Sequence, residues 1–253
     1  VYAAERQQRI LDTARRHGRV EVSALAEDLT VAAETIRRDL SALERRGSLR
    51  RVHGGAIPVE RLEVEPTLAV KVGRLSGVKR RIAARALDEV PEGGSILLDA
   101  GSTTQALAEI LPPDRELTVI TNSLSIAATV ASRPAISLYV VGGRVRYTTG
   151  AAVGDWATRA LADVTVDVAF VGTNGFSTRR GLTTPDQAES VVKRAMVAAA
   201  RTCIVLADSS KAGDDHLHRF ANLEEVDVLI TDGDLDDEVA DQVQTAGPRV
   251  VTA

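Results

Sequence analysis

The chain has 253 residues, 44% of them apolar and 26% charged, with a formal net charge of −4. That length suits one large domain or two smaller ones, and that composition belongs to a folded, water-soluble protein. No apolar run approaches the roughly 20 residues that span a bilayer, and the charged start VYAAERQQRI does not read as a signal peptide. The one cysteine, Cys203, excludes an internal disulfide and sits in the apolar run TCIVLA, where a buried core thiol is expected. A cytoplasmic location follows. Charge is uneven: residues 1–53 carry 11 Lys/Arg against 8 Asp/Glu, or +3, and the remaining 200 carry 20 against 27, or −7. A basic N-terminal module joined to an acidic body is expected.

Residues 4–17 predict a helix with Ile10, Leu11 and Ala14 on one face, stopped by Gly18. RVEV alternates like a short strand, and Ser23 is placed to cap a second helix, SALAEDL. After the turn TVA, a third helix is expected near 33–46. Its Ile36, Leu40 and Leu43 stand at i, i+4, i+7 and form one buried stripe. Gly47 ends it, and SLRRVHGGAI reads as a hairpin wing.

Helix, turn, helix and hairpin make the plan of a winged helix-turn-helix, whose third helix enters the major groove of double-stranded DNA. Thr35, Arg37, Arg38, Ser41 and Arg45 lie off the buried stripe and are the candidate groove residues; Arg50, Arg51 and His53 are the candidate wing contacts. Arginine suits guanine edges and phosphates alike. The plainer alternative is a solvated helix face laced with i, i+4 ion pairs. Clustering at the helix start and the second arginine pair on the hairpin favour DNA.

IPVERLEVEP, 57–66, reads as a linker. The stretch 67–90 is expected to be helical, interrupted at Gly73 and Gly77. Lys79, Arg80 and Arg81 are expected at the surface around Ile82, Ala83 and Ala86. From residue 94, buried strands (SILLD, LTVIT, ISLYVV, VDVAFV, TCIVLA, VDVLIT, RVVTA) alternate with helices (TTQALAEIL, LSIAATVAS, AESVVKRAMVAAA, DDEVADQVQTA). The fold class is α/β with a mostly parallel sheet. Domains are expected over 1–56 (DNA-binding), 57–78 (connector) and 79–253 (α/β sensing).

In such sheets, ligands sit beyond the C-terminal strand ends. The loops there read DAGSTT, TNS, GGR, GTNG and DSSK. In LLDAGSTTQALAEIL a strand gives way to a glycine turn and a Ser/Thr-rich helix start, where unpaired N–H groups favour phosphate; simple capping is the alternative. The P-loop and dinucleotide spacings are absent, so no nucleotide cofactor is expected. DDHLH places His216 and His218 near Asp214 and Asp215, too few fixed ligands for a metal site. Trp156 is expected in the core or an interface.

RQQRIL, VSALAEDL, ETIRRDLSALERRGSLRRVHGGA and LLDAGSTT, in this order over nearly the whole chain, resemble the DeoR family of bacterial transcriptional repressors. One departure is Ala32, where the family usually has a serine capping the recognition helix; Thr30 substitutes, or the helix start is looser. The resemblance implies a C-terminal domain similar to the ribose-5-phosphate isomerase and glucosamine-phosphate deaminase fold, binding a phosphorylated sugar effector. It implies phosphate contacts at Asp99, Gly101, Ser102, Thr103 and Thr104. A sugar would be lined by Thr121, Asn122, Ser123, Gly142, Gly143 and Asn174. Lys193 and Lys211 would supply positive charge, and Asp208 would face hydroxyls; a surface helix lysine is the alternative for Lys193. A homo-oligomer, dimer or tetramer, is implied. YAAERQQRIL and RRVHGGAIPVERL are similar to actinobacterial fructose-utilisation regulators, which points to a fructose phosphate. The competing class is an active sugar-phosphate isomerase or deaminase fused to a DNA-binding head. Proton transfer between carbons needs a carboxylate base, and GTNG offers Asn174 where an acid is wanted, so binding without turnover is expected.

Overall fold

The computed structural model describes residues 3–45, 48–52, 54–58, 65 and 67–253. The chain divides into two compact units, Val1–Val64 and Glu65–Ala253.

In the first unit, α1 (Ala3–His17) turns Ile10 and Ala14 inward, both fully buried. Gly18 ends it at φ +76°, its N–H donating to the Ala14 carbonyl at 2.7 Å, the left-handed stop that glycine adopts most readily. β1 (Val20–Glu21), α2 (Val22–Asp28), α3 (Ala33–Arg45), β2 (Leu49–Val52) and β3 (Gly55–Pro58) follow. β3 pairs antiparallel with both β1 and β2. Ile36, Leu40 and Leu43 of α3 join Ile10, Val20, Leu25 and Leu49 in one core. This is a winged helix-turn-helix. β3 runs so close to β1 at Gly55 that a Cβ there would lie 1.9 Å from the Val20 carbonyl oxygen.

Two local expectations fail. Ser23 lies inside α2, whose cap position is Glu21 with no side-chain cap bond. The Val22 N–H is already taken by the Gly54 carbonyl at 2.9 Å, so the chain passes from sheet to helix two residues early. Thr30 adopts φ +52° and closes α2: its N–H donates to Glu27 O at 3.2 Å, and that of Val31 to Ala26 O at 3.0 Å. Ala32 therefore keeps the position before α3, with its carbonyl accepting from Thr35 and Ile36. Gly47 lies outside the described residues.

The second unit opens with α4 (Leu68–Gly73) and α5 (Ser76–Leu87). The helix break falls at Arg74–Leu75, where Leu75 takes φ +51°; Gly77 is inside α5. Ile82, Ala83 and Ala86 are buried and Arg80 and Arg81 exposed, as their spacing predicts, but Lys79 is buried. Then come β4 (Gly94–Leu98), α6 (Ser102–Ile110), β5 (Leu117–Thr121), α7 (Leu124–Val130), β6 (Ile136–Val140), β7 (Arg144–Val145), β8 (Ala152–Val153) and α8 (Asp155–Ala162). β9 (Val166–Gly172), β10 (Gly175–Ser177), β11 (Gly181–Thr184), α9 (Gln187–Ala198), β12 (Ala200–Leu206), β13 (His218–Ala221), β14 (Val228–Thr231), α10 (Asp237–Thr245) and β15 (Arg249–Thr252) complete it.

Seven parallel strands stand in the order β15-β14-β12-β9-β4-β5-β6. Alternate residues face opposite ways. Ile96, Leu98, Phe170 and Ile204 pack with residues of α5, α6 and α7. Leu97, Ala169, Val171 and Val205 pack with residues of α8, α9 and α10. From β4 the chain winds to β5 and β6, then returns to β9 and winds the other way. The C-terminal ends of β4 and β9 thus flank a topological switch point, where open α/β sheets leave a crevice.

The antiparallel ribbon β7-β8 and the small antiparallel sheet β10-β11-β13 were not foreseen; strands of two to four residues are too short to show a period of two. Trp156, on α8, is 73% exposed and so stands outside the core. Cys203 is buried in β12, and burial with Asp227 beside it pushes its thiol up to about 12. No helix among the described residues is long and apolar enough to cross a membrane.

Candidate functional site

On α3 the structure separates a buried side from a charged one. Arg37, Arg38 and Arg45 are exposed, and Thr35 and Ser41 half-buried. Arg37 is steadied by Glu34 at 3.2 Å. The wing is fastened to this face: Arg51 donates to Ser41 Oγ at 3.0 Å and to the Arg37 carbonyl at 3.4 Å, while its N–H donates to Glu44 Oε1 at 2.9 Å. Arg51 therefore braces the wing, and Arg50 lies half-buried on β2. His53 lies outside the described residues. The stripe did not reveal Asp39, which is buried on α3 and paired with Arg6 at 2.5 Å and Gln7 at 2.9 Å, locking α1 to α3.

At the switch point of the second unit, Asp99 follows β4 and is 1% exposed. Its Oδ2 pairs with Lys193 of α9 and accepts from the Gly172 N–H at 3.0 Å. Lys193 also donates to the Gly172 carbonyl at 2.9 Å and stands 5.4 Å from the centre of the Phe220 ring. The surface-lysine reading of Lys193 is thereby overturned: it is 4% exposed and ties β4 to β9. Thr104 donates to the carbonyls of Asp99 at 2.7 Å and Gly101 at 2.9 Å. Ser102 and Thr103 open α6, whose first-turn N–H groups have no partner within the helix.

The TNS loop is anchored by its own side chains. Thr121 donates to the Leu98 carbonyl at 2.7 Å. Asn122 accepts from the Ala100 N–H and donates to the Ala152 carbonyl, both at 3.1 Å. Ser123 caps α7 by accepting from Ile126 N–H at 3.3 Å. Gly143 sits at φ +154°, where a Cβ would lie 2.6 Å from the Val153 carbonyl oxygen, so its role is close pairing within the ribbon; Gly142 is exposed. A groove of about 450 Å³ runs past Gly143, Arg144, Val153, Gly154, Asp155 and Trp156.

A charged cluster escaped the sequence reading. Glu65, at the start of the second unit, has its carboxylate buried against Lys71, Arg146 at 2.7 Å and Asn174 at 3.1 Å. Burial pushes this carboxyl up, but Lys71, Arg146 and Asn174 outweigh it and hold it at about 2. Arg146 also pairs with Glu189 at 2.5 Å and Asp186 at 3.2 Å, and Thr149 donates to Glu189 at 2.5 Å. Burial, then Glu65, push the Glu189 carboxyl upward. Lys79 reaches the carbonyls of Lys71 and, at 2.8 Å, Arg74. Burial drives Lys79 down to about 8; Lys211, Arg74 and Lys71 push the same way, and Asp208 opposes them. Lys211 is also lowered, first by burial, with Asp208 opposing. Asp208 is buried and accepts from Ser210. Four cations, Lys71, Arg74, Lys79 and Lys211, thus gather near the carboxylates of Glu65, Asp208 and Asp214, three of the cations coming from α4, the turn after it and α5. Their local sequence carries no signal of this, because Lys211 lies 132 residues beyond Lys79.

In the DDHLH segment, His216 approaches the Asn174 carbonyl at 3.2 Å, and Asp215 accepts from Ser177 at 2.6 Å and pairs with Arg179. Among the described residues, no group of three His, Cys, Asp or Glu is placed to hold a metal ion.

The Glu65 pairing sets a pH dependence. A carboxyl held at about 2 rather than 4.5 stabilises the fold fully above about 4.5, and that contribution is lost as pH falls toward 2. Glu65→Gln is expected to cost on the order of 3 kcal/mol at pH 7, with the difference from wild type shrinking below pH 4.5 in urea titrations. A difference constant from pH 7 to pH 3 would refute the pairing.

A family model described as the DeoR C terminal sensor domain matches residues 76–233, and one described as the DeoR-like helix-turn-helix domain matches residues 6–61. The HTH-type transcriptional regulator GlpR of Haloferax volcanii is 39% identical over 249 residues, covering 98% of this chain and 97% of that protein. The HTH-type transcriptional repressor GlcR of Bacillus subtilis is 34% identical over 239 residues, covering 92% of this chain and 89% of that protein. Ribose 5 phosphate isomerase A from Neisseria gonorrhoeae overlays with a TM-score of 0.40 and 17% identity, over 53% of this chain and 52% of that one, too distant to support an argument. With both family models matched in order and relatives aligned nearly end to end, this chain belongs to the DeoR family of DNA-binding transcriptional regulators.

Proposed function

We propose that the protein is a cytoplasmic repressor of a sugar-metabolism operon that binds operator DNA as a homo-oligomer and answers to a phosphorylated sugar, with a fructose phosphate the first candidate. The observation that carries this reading is the cation cluster of Lys71, Arg74, Lys79 and Lys211 in the same unit as the α6 start at Ser102 and Thr103. Lys79 and Lys211 are both lowered by burial and by neighbouring cations, so an incoming anion is favoured there, and a helix start adds unpaired N–H donors. The sugar is expected against Asn174 and the loops after β5 and β6. Asp99, Thr104, Thr121 and Asn122 set the shape of the loops through their hydrogen bonds. Exposed Arg37, Arg38 and Arg45 on α3 give the DNA face.

The test is fluorescence anisotropy on labelled DNA from the protein's own promoter region, with fructose 1-phosphate, fructose 6-phosphate and glycerol 3-phosphate added in turn. Nanomolar binding shifted by one of them supports the reading. Binding at the non-specific level alone refutes the repressor, and tight binding unmoved by any sugar phosphate tried refutes control by those compounds.

Lys79 supplies an independent check. A phosphate dianion placed beside it favours its charged form, so at pH 8 binding takes up about half a proton. Calorimetry in two buffers of different ionisation enthalpy measures this uptake. Zero uptake would place the phosphate away from Lys79.

One observation favours a second reading, turnover. Glu189 is a buried carboxyl pushed upward beside Arg146, and such groups serve as general bases. Its Oε1 is already engaged by both Arg146 and Thr149, which favours binding alone. Isomerisation of ribose 5-phosphate or glucosamine 6-phosphate that is abolished by Glu189→Gln would establish the enzyme instead.

A further inference from the structure

Glu65 occupies a singular place in the chain. It is the first residue of the second compact unit, and the backbone continues from it through 59–64 into the DNA-binding unit. Its carboxylate is held from three separate elements: Lys71 on α4, Arg146 in the turn after β7, and Asn174 in the loop after β9. Three residues on, the Leu68 N–H donates to the Thr148 carbonyl at 2.8 Å, so the same ribbon turn pins the start of α4.

The charge balance around this contact is lopsided. Arg146 keeps two further carboxylates, Asp186 and Glu189, if Glu65 leaves. Lys71 is different. Its backbone carbonyl receives Lys79, and it stands within the electrostatic reach of Lys79 and Lys211, whose own neighbouring carboxylates are Asp208 and Asp214. Glu65 is the carboxylate with which Lys71 pairs. An anion arriving at this cluster competes for Lys71, and a sugar hydroxyl competes for Asn174.

We propose that Glu65 is a chain-borne counter-ion displaced by the effector's anionic group, and that its release from Lys71, Arg146 and Asn174 is the step by which ligand binding reaches the DNA-binding unit. A ligand alters an equilibrium only through differential affinity for its two states. Here the two states are Glu65 docked and Glu65 released, and the ligand favours the second by taking its partners. This inference rests on the sensor reading above.

The experiment compares full-length wild type, Glu65→Gln and Lys71→Met. Without ligand, hydrogen exchange of the amides of 67–73 is expected to quicken at least tenfold in both variants, with protection of β4, β9 and β12 retained as proof of folding. Promoter-DNA affinity is expected to change at least fivefold, in one direction for both variants. With fructose 1-phosphate, fructose 6-phosphate or glycerol 3-phosphate, wild type should move toward the Glu65→Gln affinity, and Glu65→Gln itself should no longer respond although calorimetry shows that it binds the same compound. Unchanged DNA affinity in both folded variants overturns the proposal, as does an undiminished ligand response in Glu65→Gln. If no sugar phosphate binds wild type, the sensor reading fails, and the ligand-free comparison still decides whether Glu65 restrains the DNA-binding unit.

Discussion

Lys193→Met is expected to destabilise the second unit by about 3–5 kcal/mol, the usual consequence of removing one partner from a buried ion pair. The loss arises at Asp99, 1% exposed, whose carboxylate would keep the Gly172 N–H as its remaining donor among the described residues. For a unit of this size the melting temperature should fall by about 10 °C. Adding Asp99→Asn should recover part of the loss, because the orphaned charge goes with it while an acceptor for Gly172 remains. Urea titration of the three proteins measures the coupling. A single-variant loss below about 1 kcal/mol would show that the pair is not buried as described.

Arg38→Ala should weaken binding to promoter DNA by about 5- to 150-fold, equivalent to 1–3 kcal/mol for a base-reading arginine. Its exposure on α3 means that stability should stay within about 0.5 kcal/mol, which separates a lost contact from a lost fold. Arg37→Ala should cost less, since Glu34 already competes for that guanidinium. The salt dependence distinguishes the contact: a phosphate contact lowers the slope of log affinity against log salt by about 1, whereas a base contact lowers discrimination between promoter and random DNA. Affinity within twofold of wild type on both DNAs would remove Arg38 from the interface.

The legible parts of this chain were those whose determinants are local. Ile36, Leu40 and Leu43 announce α3 through their spacing, and LTVIT announces β5 residue for residue. DAGSTT announces a strand-to-helix turn because glycine and hydroxyl residues suit that geometry and little else. Lys79 shows the limit. Its neighbours Arg80 and Arg81 are exposed, whereas Lys79 stands three, four and seven residues before Ile82, Ala83 and Ala86, on the apolar face itself, so only its charge argued for the surface. What buries Lys79 is the pair of α4 carbonyls it reaches, which depend on the left-handed turn at Leu75. Glu65 and Glu189 were hidden for a related reason. They meet through Arg146, and sequence separations of 81 and 43 residues leave no trace in any local pattern. Asn122 and Thr121 stand out in the sequence, but their hydrogen bonds to the backbone of neighbouring loops and strands depend on sheet order and are not legible locally.

These loop-to-sheet ties bear on redesign of the protein as a biosensor. Asn122 joins the loop after β4 to the ribbon strand β8, so the Asp99–Thr104 segment inherits its shape from side chains elsewhere in the sheet. Libraries aimed at a new small-molecule input should hold Asp99, Thr104, Thr121, Asn122 and Lys193 fixed as chassis. Diversity belongs at positions outside that set, such as the half-buried Ser102. Randomising the whole conspicuous motif would mostly yield misfolded receptors, while the sparser choice searches chemistry on an intact frame.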